Sequence, residues 1–272
     1  MDQLQEQVSS GRKINKPSDN PVTAVRGMFY RSSLNEIDQY KRNADDGLSW
    51  MTSTDEALDE VTSVLQRVRE LTIQGKNGTN SETDRNAIAE EISQLKEHLG
   101  EISNSQIAGK YIFAGTDVKT PPYSSATKEF TNANNEKLEL VVGQNNTVQI
   151  NVKGIDVFNN DGAGGIFKVL SDIETDFRSP NPGSTDHLAQ LDGQMDNLLR
   201  HRSELGARMN RMELSISRID GLEVSTTRLL SGEEDVDMAE VITNLKAQEN
   251  VQRAALSVGA RIIQPSLVDF LR

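Results

Sequence analysis

The sequence predicts a mainly α protein, an elongated bundle of long antiparallel helices with a β-rich domain inserted in the middle. Apolar residues recur at heptad spacing in two stretches too long for a compact domain, and no proline interrupts either of them. Between the two stretches the composition shifts to Asn, Ser, Gly and short alternating runs.

Lys16 to Asn20 is turn chemistry, and Asn20 followed by Pro21 reads as an N-cap with proline at the first helical position. A helix is therefore expected from Pro21 to about Gln74. Ile37, Ala44, Met51, Leu58 and Leu65 fall every seventh residue along it, with Leu48, Val61 and Val68 in the neighbouring seam. Gly75 to Asn80 stops this helix, and Ser81 with Asp84 resembles a capping box opening a second one. That helix runs to about Ile107, with Ile88, Ile92, Leu95, Leu99 and Ile102 as its seam, and the short loop makes the pair antiparallel.

From Gly115 the pattern changes. Leu138–Val142 and Val148–Val152 alternate around Gly143–Thr147 and predict a hairpin with a five-residue loop. Ile166–Asp176 is a short helix, and Ser179–Ser184 is the boundary back to the long helices. Leu188, Leu191, Met195, Leu198, Leu205, Met209, Met212, Ile216 and Ile219 define a third long helix, broken only at Arg202. A last amphipathic helix spans Met238 to about Ile263. The resulting division is a connector over 1–20, a helical rod over 21–115 and 186–231, a β-rich insert over 116–185 and a C-terminal helix over 232–272.

Composition narrows the function. Lys and Arg total 29 against 41 Asp and Glu, and the net charge of -12 gives no basic footprint for nucleic acid. With 35 % hydrophobic and 4 % aromatic residues, slim helix seams are expected rather than a wide core. Cysteine is absent, which excludes disulfides, thiolate metal sites and cysteine nucleophiles. No run approaches the length of a membrane span, and the first ten residues do not read as a cleaved signal peptide.

Several motifs, in order, resemble the bacterial flagellin family. Ser9–Asn15 and Arg42–Gly47 look like its N-terminal signature, and Leu65–Thr72 with Asn77–Asn80 like its most recognisable segment. Leu205–Ala207 with Asn210–Arg211 looks like its C-terminal helix. The resemblance covers roughly 9–115 and 186–272. Lys110–Thr116, Gly154–Phe158 and Pro265–Leu271 are similar to the family's hook-filament junction members more than to flagellin itself. It implies a structural, non-enzymatic part of the extracellular flagellum, exported through the flagellar type III channel without a cleaved signal peptide.

The implied partners are hook-associated protein 1, flagellin, copies of the chain in a ring and a flagellar export chaperone, with no cofactor. In the family a longer apolar helix precedes the Ser-Ser-Gly motif and pairs with the C-terminal helix. A truncated start, and a monomeric isolated fragment, are therefore expected.

Three groups are the expected assembly interface. Gly11, Arg12, Ile14 and Asn15 form the connector turn; Arg67, Arg69, Glu70 and Asn77 match the densest family motif; Leu256, Ile262, Ile263, Leu267, Phe270 and Leu271 form an apolar C-terminal surface. The arginines could equally be a solvated face with local ion pairs, and Asn77 part of a helix-ending turn. A filament-forming flagellin is the alternative within the family, and a coiled coil carrying a hydrolase insert the alternative outside it. His98, His187 and His201 read as surface histidines, Gly162–Gly165 as a turn, and Glu233, Glu234, Asp235 and Asp237 as a solvated helix cap.

Overall fold

The computed structural model describes residues 2–77, 80–159, 165–179 and 186–263, the last three of them by backbone only. Among the described residues, seven helices and six short strands follow in the order α1 Asp2–Ser10, α2 Pro21–Gly75, α3 Glu82–Ser103, β1 Gln106–Ile107, β2 Lys110–Tyr111, β3 Tyr123–Ser124, β4 Glu129–Phe130, β5 Glu139–Gly143, β6 Asn146–Gln149, α4 Gly154–Phe158, α5 Gly165–Arg178, α6 His187–Glu234 and α7 Met238–Ile263. Two compact units arise, one from 1–39 with 220–272 and one from 40–219.

In the larger unit the heptads are the core. Ala44, Met51, Leu58 and Leu65 of α2 and Leu191, Leu198, Leu205, Met212 and Ile219 of α6 are all buried, as are Ile88, Ile92, Leu99 and Ile102 of α3. Direction and register can be read from cross-helix pairs. Arg67 meets Glu91 and Glu60 meets His98, so α2 and α3 run antiparallel. Arg69 meets Asp192 and Asp55 meets Arg202, so α2 and α6 do too. Arg202, the apparent break in the α6 pattern, is half-buried and donates to both Asp55 oxygens at 3.1 and 3.3 Å and to Asp59 at 2.8 Å. The Asp55 hydrogen bonds raise its pKa above the ordinary arginine value despite desolvation.

Ser81 and Asp84 cap α3 reciprocally: the Asp84 N–H donates to Ser81 Oγ at 3.2 Å and the Ser81 N–H to Asp84 Oδ2 at 3.1 Å. The helix ends at Ser103, short of the expected Ile107. There Asn104 turns its side chain to the backbone of Tyr123, donating to its carbonyl at 3.0 Å and accepting from its N–H at 2.9 Å. A side chain that imitates a strand partner in this way diverts the chain from the helix.

The strands are short, paired as three separate antiparallel ribbons. In β5–β6 the loop is tighter than the five residues expected. Gly143 pairs with Asn146 across Gln144 and Asn145, and Asn145 takes φ 62, a left-handed conformation that Asn tolerates. Buried Asn151 fixes the ribbon's base, accepting from the Leu138 N–H at 2.9 Å and donating to the Glu136 carbonyl at 3.0 Å. Several of the chain's aromatics gather in one cluster beside the ribbons. Phe158 is fully buried, edge-on to Phe113 at 5.1 Å and stacked on Phe130 at 5.3 Å, with Phe167 at 6.1 Å. Amphipathic α5 closes this cluster and packs on α3, where Lys96 meets Glu174 at 2.9 Å.

In the smaller unit, α1 lies against α7. Val241, near the start of α7, is buried, but α1 buries no residue. The segment before Gly11, expected as part of a truncated connector region over 1–20, is a helix with α7 as its neighbour.

Candidate functional site

The connector and the α6–α7 turn are built into one polar node of the smaller unit. Gly11 ends α1 with φ 70, a left-handed position that glycine occupies without a Cβ penalty, and its N–H donates to the Gln7 carbonyl at 2.9 Å. The chain then crosses the α6–α7 turn as a one-bridge antiparallel pairing of Arg12 with Asp235. The Val236 N–H donates to the Gly11 carbonyl at 3.1 Å, and the Lys13 N–H to the Glu234 carbonyl at 2.7 Å. Asp19 accepts from the Asn15 and Lys16 N–H groups at 3.3 and 3.0 Å, which folds the rest of the connector into a turn. Ile14 is half-buried there and borders a cavity of about 220 Å³ that it shares with Pro17, Met28 and Arg31.

Glu233 and Glu234, read from the sequence as part of a solvated cap, accept arginines instead. Arg31 donates to Glu234, whose other neighbour is Arg12 at 4.0 Å, and Arg26 donates to Glu233 at 3.3 Å. Only Asp237 caps α7, accepting from the Ala239 and Glu240 N–H groups at 2.9 and 3.3 Å. Gly27 lets α2 come close, since a Cβ there would fall 2.5 Å from the Glu234 carboxylate. The sequence marks the connector turn and the acidic run of this node separately, and nothing local in it shows that they meet.

The second predicted group lies in the larger unit and is tied mainly to its own helices. Arg67 donates to Glu91 at 2.7 and 2.9 Å and to Glu70 at 3.2 Å; Arg69 donates to Asp192 at 2.7 Å. The Glu91 bond raises the Arg67 pKa, with Glu70 adding to it, and the Asp192 bond raises that of Arg69. The Asn77 N–H donates to the Gln74 carbonyl at 3.1 Å, and its own carbonyl accepts from Asn80. The structure thus brings Arg67 and Glu70 together, whereas the connector group belongs to the smaller unit.

Of the third group, Leu256 is 67 % exposed on α7. The side chains of Ile262 and Ile263, and Leu267, Phe270 and Leu271 altogether, lie outside the described residues. Leu256 has company: Val251 and Val258 on α7, Val25 and Phe29 on α2, and Val224 on α6 are all more than half exposed.

One other expectation needs correction. His187 is a buried histidine, 3.2 Å from Asp176, and not a surface one. Its neighbour Asp176 lies on α5, eleven positions earlier, which its isolation in the sequence could not reveal. His98, by contrast, is half exposed beside Glu60 and Glu101.

Residues 1–118 match the bacterial flagellin N-terminal helical region, and residues 188–271 match the bacterial flagellin C-terminal helical region. A flagellar filament 31.3 kDa core protein of Treponema maltophilum is 26 % identical over 94 % of this chain and 86 % of its own length. A flagellin of Bacillus subtilis is 28 % identical over 95 % and 88 %. Among solved structures, flagellar hook-associated protein 3 from Legionella pneumophila superposes with TM-score 0.68 at 17 % identity, over 75 % of this chain and 98 % of that one. FlgL from Bacillus cereus does so with TM-score 0.61 at 20 % identity, over 75 % and 99 %. The matched helical ends together take in most of the sequence, and the chain belongs to the bacterial flagellin family.

Proposed function

We propose that this protein is an adaptor of the flagellar hook-filament junction, seated between hook-associated protein 1 and the flagellin filament, with copies of itself as lateral neighbours. The observation that carries the reading is the fold match to hook-associated and junction proteins, which takes in nearly the whole of each. The open apolar faces of α2, α6 and α7 support it, because a family member that leaves such surface uncovered has partners still to meet. The interface is assigned to the connector residues Gly11, Arg12, Ile14 and Asn15, the Arg67, Arg69, Glu70 and Asn77 face, and the C-terminal segment from Leu256. Contacts of this kind are heterologous, head to tail, and propagate as a ring or tube instead of closing as a dimer. Export through the flagellar type III channel, with a chaperone covering the C-terminal helix until then, belongs to the same reading.

A second reading, a filament-forming flagellin, is favoured by the curated relatives, which are filament proteins spanned over most of their length. Electron microscopy of the purified chain, alone and on filament seeds, separates the two. An adaptor should stay short of micrometre tubes under conditions that polymerise flagellin. Long tubes of this chain alone would overturn the junction assignment.

A further inference from the structure

A cavity of about 190 Å³ lies within the larger unit, where the β5–β6 ribbon and α4 meet α6. Lys137, Lys153, Asp156, His201, Glu204 and Arg208 line it. These charges are unequally committed. Arg208 donates to the Asn151 carbonyl at 3.1 Å and lies 3.8 Å from the Glu204 carboxylate, so it and Glu204 offset one another. Among the described residues, the side chains of Lys137, Lys153 and Asp156 have no hydrogen bond or ion pair. Lys153 is half-buried, so its ammonium has lost water without gaining an acceptor. Other lysines of the chain sit on acids: Lys16 on Glu6, Lys96 on Glu174, Lys128 on Glu97 and Lys168 on Asp172. With 41 acidic residues in the sequence, two lysines that converge on one cavity unpaired set it apart.

We infer that this cavity is a carboxylate-binding site, with the Lys137 and Lys153 ammonium groups as donors and one carboxylate as ligand, on a small free acid or on an acidic side chain of another copy. Volume sets the size. A cavity of about 150 Å³ can hold benzene, so the acid group enters with only a short tail. Charge sets the class. Lys137 and Lys153 face one uncommitted carboxylate, Asp156, which leaves a single positive charge to be balanced. A carboxylate balances it, whereas a sulfate-like dianion would add a surplus negative charge beside Asp156 and Glu204.

Acetate is the probe for the full chain, exchanged for chloride at constant ionic strength and about pH 7, where acetate is fully ionised. The His201 ring protons, in the cavity wall, report binding by NMR. Their shift should saturate with acetate. Lys153→Gln should raise the half-saturating concentration about tenfold, the worth of one charge-assisted hydrogen bond. Asp156→Asn removes the competing carboxylate and should lower it several-fold. Lys119→Gln takes the same charge from outside the cavity and should leave it unchanged. A shift that never saturates, sulfate that binds as tightly as acetate, or equal responses of Lys153→Gln and Lys119→Gln would overturn the site. If Lys153→Gln disturbs the fold, Lys137→Gln at the exposed rim decides by the same tenfold criterion. Sedimentation of the wild type with and without acetate then tells the two sources apart: self-association that acetate reverses places the carboxylate on another copy, and unchanged sedimentation places it on a free acid.

Discussion

Phe158→Ala should destabilise the protein by about 3–5 kcal/mol, the usual cost of emptying a buried aromatic site. Phe158 is fully buried and touches three other rings, so its loss removes transfer energy and the offset and edge contacts together. Collapse around the void is restricted. The backbone beside it is pinned at Gly154, where a Cβ would lie 2.3 Å from the Phe113 carbonyl oxygen and 2.5 Å from the Phe130 ring. Urea denaturation followed by circular dichroism checks the prediction through the midpoint. A loss below about 1 kcal/mol would mean that the rings are not a single packed unit.

Leu205→Ala is the second large effect, expected at about 2–5 kcal/mol. Leu205 lies at the centre of the buried α6 series, one heptad from Leu198 and one from Met212. Arg202, one turn earlier, is held by Asp55 and Asp59, so α6 cannot slide along α2 to refill the space. Trp50, buried on α2, supplies the fluorescence signal for the denaturation curve. If register were free, the loss would fall toward the lower end, and an accompanying Arg202→Met change would leave it unaltered.

Much of this architecture is legible from local pattern. The start of α2 at Pro21, the α3 capping box and the bounds of α7 each follow from residues within one or two turns of one another, where capping chemistry and periodicity act. The missed features depend on neighbours remote in sequence. Asn104 ends α3 through Tyr123, Phe158 finds Phe113 and Phe130, and Glu234 finds Arg31 and Gly27 across some two hundred positions. A nine-residue segment such as α1 is marginal as a helix by itself, so its pattern carries little weight without α7. For the interface, the motif residues were legible as a set, but their present bonds were not. Arg67 and Arg69 already hold α3 and α6, and any partner contact must compete with or add to those pairs.

The most direct measurement is electron microscopy of a strain lacking this gene, with the culture medium assayed for flagellin. The junction assignment predicts cells bearing hooks without filaments and flagellin monomers shed into the medium. Full-length filaments on the deletion strain would contradict it.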